Sequence, residues 1–194
     1  MILAISGSPR AKTTKYVLIQ AQKILDDLGY VMQQYAVRGR EIGFCTHCDY
    51  CLGGKGCIIK DDLQELYPLL SKADAIIMAS PVYNGGITAQ LKAVMDRTRA
   101  LFPSNLNVLR GKPGIAIAVG GDRTGGQELA LQQIHTYYTL NGMVSISGGV
   151  FGANLGASFW SKDNMEGIQA DEEGLKSLKK TLKNLVGYLE EIKK

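Results

Sequence analysis

The sequence predicts an α/β protein, a doubly wound five-stranded parallel sheet with helices on both faces. Two observations predict it. Short β-rich runs alternate with longer segments of helical period along the whole chain. The run Ala75 to Ala79 also has no polar interruption, as expected of a strand covered on both faces.

Taken in order, Ile2 to Ser6 is a buried strand, and a Gly/Ser/Pro loop leads from it into a helix from about Thr14 to Leu28. Gly29 sits where a left-handed residue closes a helix. Val31 to Val37 is the second strand. After a cysteine-rich loop, Asp61 or Asp62 can cap a helix carrying Leu63, Leu66, Leu69 and Leu70. Ala75 to Ala79 is the third strand, followed by a loop from Pro81 to Gly86 and a helix from Thr88 to about Arg99. Ile115 to Val119 is the fourth, ending in Gly120-Gly121, and Gln127 to Leu140 is helical. Met143 to Val150 reads as the fifth strand, before a glycine-containing stretch. The last helix, from about Asp171 to Ile192, keeps Leu175, Leu178, Leu182, Leu185, Val186, Leu189 and Ile192 on one face.

At 194 residues, with no linker, repeat or low-complexity tract, the chain is expected to form one domain, residues 1–194. Its 45% hydrophobic content excludes disorder, and 23 aperiodic glycines exclude a collagen-like chain. The net charge is +4, and the C-terminal lysines are mixed with Asp171, Glu172, Glu173, Glu190 and Glu191. That is a solvated helix face, so no nucleic-acid partner is expected. There is no apolar stretch of about 18 residues and no basic leader, so neither a membrane partner nor export is expected. The expected location is the cytoplasm.

In doubly wound sheets, ligands sit at the carboxyl ends of the strands. Three loops leave such ends here, beginning at Ser6, Ser80 and Gly120. The first, Ser6-Gly7-Ser8-Pro9-Arg10-Ala11-Lys12-Thr13-Thr14, carries the hydroxyls of Ser6, Ser8, Thr13 and Thr14 and the donor fork of Arg10. It opens a helix, whose free N–H groups and positive dipole end favour an anion. Neither a Walker A loop nor GxGxxG is present, which argues against ATP and dinucleotides at this loop. A terminal phosphate monoester, as in FMN, suits it; an ordinary capped turn is the plainer reading. Pro81, Val82, Tyr83 and Asn84 could contact a flavin ring, or form only a tight turn. Gly120, Gly121, Arg123, Gly125, Gly126 and Gln127 make a loop that a flat ligand could approach closely. No side-chain set suggests acid–base or nucleophilic catalysis; His47 lies in the cysteine loop and His135 inside a helix.

All four cysteines, Cys45, Cys48, Cys51 and Cys57, fall within the 13 residues from 45 to 57. Random scattering gives such a cluster with a probability on the order of one in a thousand. The spacing C-x2-C-x2-C-x5-C begins as compact [4Fe–4S] loops do, and Gly53, Gly54 and Gly56 let the backbone carry Cys57 round. Zinc and free redox-active thiols remain open alternatives; disulfides are a weaker one.

These pieces together resemble the iron–sulfur flavoproteins, within the flavodoxin-like NADPH-dependent FMN reductase group. The resemblance rests on Gly7-Ser8-Pro9-Arg10 with Thr13 and Thr14, the cysteine loop, Ile59-Lys60-Asp61-Asp62 and Ser80-Pro81-Val82-Tyr83. It extends through Leu91-Lys92, Asp96-Arg97 and Gly125-Gly126-Gln127-Glu128. The resemblance implies a flavodoxin-like fold, with the FMN phosphate on Ser8, Arg10, Thr13 and Thr14. It implies a flavin ring near Pro81 to Asn84 and Gly120 to Gln127, and one [4Fe–4S] cluster on Cys45, Cys48, Cys51 and Cys57. The implied activity is electron transfer between a donor such as ferredoxin or NAD(P)H and a small-molecule acceptor. The rival is an NAD(P)H-dependent FMN or quinone reductase without a cluster; a thiol or zinc sensor on the same scaffold is a third reading. A homodimer or homotetramer is expected, since a long loop leaving a compact domain is more easily ordered against a neighbour.

Overall fold

The computed structural model describes residues 1–150 and 155–193. Part of the glycine-containing stretch after Val150, and the terminal Lys194, lie outside the described residues. The strands are β1 (Ile2–Ser6), β2 (Met32–Ala36), β3 (Ala75–Pro81), β4 (Pro113–Gly120), β5 (Val144–Ser145) and β6 (Ala157–Trp160). The helices are α1 (Thr13–Asp27), α2 (Leu66–Lys72), α3 (Ala89–Arg97), α4 (Gln127–Leu140), α5 (Met165–Ala170) and α6 (Glu172–Glu191). All strand pairs are parallel, in the order β2-β1-β3-β4-β5, with β6 also on β4.

Strand periodicity sorts the core into two layers. Leu3, Ile5, Ile76 and Met78 face α2, α3 and α4, where they meet Leu66, Leu91, Val94 and Ile134. Ile2, Ala4, Ile77 and Ile115 face α1 and α6, against Val17, Leu18, Leu178 and Leu182. Each buried aliphatic side chain contributes about 1.5–3 kcal/mol, so the two layers fix which side of the sheet every helix covers. Helix ends follow their signals. Gly29 takes φ +78° after α1, and the Tyr30 N–H closes back on the Leu25 carbonyl at 2.9 Å. Thr88 caps α3 and Asp171 caps α6.

Two expectations are corrected. The helix expected from Asp61 or Asp62 begins as a 3-10 turn, Asp62–Glu65, which Asp61 caps and which only then passes into α2. The fifth strand is not the continuous run from Met143 to Val150. Gly114 pairs with Ser145, whereas Ile117 pairs with Ala157, so one edge position is filled by two short segments, β5 and β6. Gly148-Gly149 interrupts the β-rich run, and Gly149 takes φ +99°, which a strand does not use. Among the described residues, no helix is long and apolar enough to cross a membrane.

Candidate functional site

The carboxyl ends of β1, β3 and β4 lie side by side, Ser6 beside Ala79 and Pro81 beside Val119. The loops after them therefore converge. The loop after β1 is tied down at Gly7, whose N–H donates to the Ala79 carbonyl at 2.8 Å and whose carbonyl accepts from the Thr88 hydroxyl at 2.7 Å. A side chain at Gly7 would meet Leu91 Cβ at 2.7 Å, so only glycine lets α3 approach this closely. Thr88 is thus a site-building residue that sequence reasoning missed; its place at a helix start after Gly-Gly-Ile was the available signal.

The start of α1 has the character of an anion site. Lys12 makes no side-chain cap, and no acidic residue occupies the first turn, so protein groups leave the positive helix end uncompensated. Thr14 is almost fully buried, yet its Oγ1 has no hydrogen-bond partner among the described residues. A buried hydroxyl without a partner costs about 1–3 kcal/mol, and an anion at the helix end would supply the missing acceptor. Ser6 and Thr13 are also buried, and Arg10 is exposed above them. The Ser8 hydroxyl bridges locally, donating to the Arg10 carbonyl at 2.9 Å and accepting from the Arg10 N–H at 3.2 Å. The residues present fit a phosphate monoester.

The loop after β3 is held by Val82, whose N–H donates to the Val119 carbonyl, and by a mutual pair between Tyr83 and Gly86 at 2.9 and 3.1 Å. Asn84 and Gly85, both at positive φ, are the Asn-Gly centre of a tight turn. The tight-turn reading of this loop therefore holds, with Tyr83 left 40% exposed above it. The loop after β4 packs directly on that turn, since a Cβ on Gly126 (φ +99°) would stand 2.8 Å from Gly85 Cα. Gln127 is buried, and its amide donates to the Asp122 carbonyl at 2.7 Å and to the Phe159 carbonyl on β6 at 3.3 Å and accepts from the Gly125 N–H at 2.8 Å. It shapes the loop. Gly120 leaves space for that amide and Gly121 for the Asp163 carboxylate. Arg123 lines a cleft of about 670 Å³ with Gln127, Trp160 and Lys162.

The cysteine loop lies elsewhere. It passes to the far end of α3, which at nine residues puts about 13 Å between it and Thr88. Cys45, Cys48, Cys51 and Cys57 are free thiols lining one small cavity with Arg97 and Arg99. Among the described residues, no three of His, Cys, Asp and Glu stand together as a metal-holding group. Arg97 is fully buried and donates to Asp61, the Gly43 carbonyl, the Ile59 carbonyl and Cys57 Sγ. Burial opposes the Asp61 charge, but the bonds from Arg97 and from the Gly43 N–H outweigh it and hold the carboxyl below its usual range. Arg97 Nε is buried without a partner. Four soft sulfurs facing two guanidiniums, one with an unused donor, suit an anionic iron–sulfur group in donor chemistry. Sequence reasoning gave Asp61 only a possible helix cap and named Arg97 only within the family resemblance; neither was given a role at the cysteine loop. His47 is exposed beside Asp49, and His135 Nε2 is engaged at the Leu155 carbonyl, where burial lowers its pKa.

The fold and the converging loops are those of a flavodoxin-like flavin oxidoreductase. The profile of the family described as NADPH-dependent FMN reductase matches residues 1–158. An iron–sulfur flavoprotein of Archaeoglobus fulgidus is 57% identical over 192 residues, covering 99% of this chain and 98% of that one. Another, from Methanocaldococcus jannaschii, is 50% identical, with 98% and 97% covered. Among solved structures, a WrbA-like flavodoxin from Agrobacterium tumefaciens superposes with a TM-score of 0.66 at 14% identity, covering 98% of this chain and 97% of that one. A flavone reductase gives 0.71 at 16% identity, covering 99% and 64%; these two likenesses concern the fold alone. The chain belongs to the iron–sulfur flavoproteins of the NADPH-dependent FMN reductase family, and is an FMN-dependent oxidoreductase.

Proposed function

We propose that the chain is an electron-transfer flavoprotein that holds FMN at the β1, β3 and β4 loops and a [4Fe–4S] cluster on Cys45, Cys48, Cys51 and Cys57. The observation that carries this reading is the single cavity lined by all four thiols against Arg97 and Arg99, in a chain whose other cofactor is FMN. When bound, FMN exchanges electrons in pairs or singly and the cluster exchanges them singly, which together link two-electron and one-electron partners.

The chain's own residues bind, orient and exclude water. Thr13, Thr14, Ser6, Ser8 and Arg10 would take the phosphate at the start of α1. Pro81, Val82, Tyr83 and Asn84 would flank the ring, facing the backbone of Gly120, Gly121, Gly125 and Gly126, with Gln127 and Arg123 bordering that loop. No side chain is asked to move a proton, in keeping with the absence of a catalytic set in the sequence. The donor is a reduced carrier such as ferredoxin, or NAD(P)H; the acceptor is a small molecule. A cytoplasmic homodimer or homotetramer fits the free thiols and the exposed Phe44, Tyr50 and Leu52 on the cysteine loop.

The second reading is an NAD(P)H-dependent FMN or quinone reductase without a cluster. It is favoured by the thiols not standing together as a metal-holding group. Cys51→Ser decides between them. Anaerobically reconstituted wild type should contain iron and sulfide and a broad brown absorption, which the variant loses while keeping its yellow flavin bands. Wild type that holds zinc, or no metal, after reconstitution leaves the cluster-free reductase.

A further inference from the structure

We propose that Arg97 and Arg99, at the end of α3 and in the turn after it, are positioning residues for the cluster. They hold the cysteine loop in shape, and Arg97 raises the cluster's reduction potential through its bond to Cys57. The inference rests on the cluster reading above.

Arg97 is 1% exposed. A charge is that deeply buried only where it is paired and hydrogen-bonded. Its pairing reaches both limbs of the loop. Nη1 donates to the Gly43 carbonyl at 3.1 Å and to Asp61, and Nη2 donates to the Ile59 carbonyl at 3.2 Å and to Cys57 Sγ at 3.6 Å. Asp61 in turn accepts from the Gly43 N–H at 2.7 Å, so one ion pair closes the base of the segment from Gly43 to Asp61. Apart from one short 3-10 turn, that segment has no regular structure among the described residues, so side chains must supply the fastening that a helix or strand would provide. Only a planar guanidinium offers donors to a carboxylate, two carbonyls and a sulfur from one point.

Arg99 fastens the middle of the loop. Its Nη2 lies 2.7 Å from Asp49 Oδ1, between Cys48 and Cys51, and Asp49 takes φ +58°. The two arginines therefore grip the cavity from the Cys57 side and from the Cys48–Cys51 side. An electron entering the cluster adds negative charge at the sulfurs, and an N–H donor on a ligating sulfur favours that state. Arg97 makes such a bond directly; Arg99 acts through space and is offset by Asp49, so its effect is the smaller.

The test is an anaerobic redox titration with dithionite, followed by electron paramagnetic resonance, on reconstituted wild type, Arg97→Lys and Arg99→Gln. Arg97→Lys keeps the charge but loses the fork. Its midpoint should fall by about 59 mV, a tenfold loss of preference for the reduced cluster; that of Arg99→Gln should fall by less. Amide exchange on cluster-free protein is the second readout, with the segment from 43 to 61 opening faster in Arg97→Lys and the sheet unchanged. If Arg97→Lys cannot hold a cluster, faster exchange confined to the loop supports the proposal, and unchanged exchange overturns it. Loaded variants with wild-type midpoints overturn it as well. Wild type that takes up no iron and sulfide refutes the cluster reading instead, and the inference falls with it.

Discussion

Replacing Thr14 by valine should move two quantities in opposite directions. The side chain sits in the first turn of α1, 1% exposed, with a hydroxyl that has no hydrogen-bond partner among the described residues. Valine has nearly the same shape and no polar atom, so the flavin-free protein sheds a desolvated hydroxyl and gains about 1 kcal/mol, the low end of that penalty. For a chain of this size the melting temperature should rise by about 2–4 °C. In the flavin complex the same hydroxyl would donate to a phosphate dianion, a bond of about 1.5–3 kcal/mol. FMN affinity should therefore fall about 10- to 150-fold. Riboflavin, which lacks the phosphate, should bind both proteins alike. Flavin-fluorescence quenching gives both affinities and thermal melts of stripped protein give the stability. FMN affinity equal to wild type refutes the assignment of the phosphate to α1, and an equal loss for riboflavin places the hydroxyl against another part of the flavin.

Arg10→Ala should weaken FMN by about 1.5 kcal/mol, the low end for a charged bond because Arg10 is exposed, and leave riboflavin binding unchanged in the same titration. Gly126→Ala should cost about 1–3 kcal/mol in urea unfolding, because φ +99° and a Gly85 backbone atom at 2.8 Å leave no room for a methyl group; an unchanged midpoint would contradict the packing of the loop after β4 on the loop after β3. Asp61→Ala leaves the buried Arg97 charge without its carboxylate and should cost about 3–5 kcal/mol, read by chemical denaturation. Because the Asp61 carboxyl is held below its ordinary value, the wild type keeps this contribution above about pH 4 and loses it as the pH falls through the depressed folded value.

Periodicity and punctuation decided much about this protein before any contact was known. The short unbroken apolar runs at β3 and β4 read as strands covered on both sides, and Gly29, Thr88 and Asp171 end or begin helices through backbone preferences that act within a few residues. The hydroxyl-rich loop and the cysteine spacing were legible for the same reason, since their chemistry is carried by neighbours in the chain. Tertiary structure decided the rest. Whether Val144–Ser145 and Ala157–Trp160 serve as one strand or two depends on what β4 offers at Gly114 and at Ile117, far away in sequence. Gln127 read as a flavin contact; that its amide also braces the loop, through Asp122 and Gly125, is visible only in the folded chain. Arg97 entered the sequence reading only as part of the Asp96-Arg97 match to the family. Its burial and its grip on Gly43, Asp61, Ile59 and Cys57 follow from where α3 stops beneath the cysteine loop, a distance that local pattern does not encode.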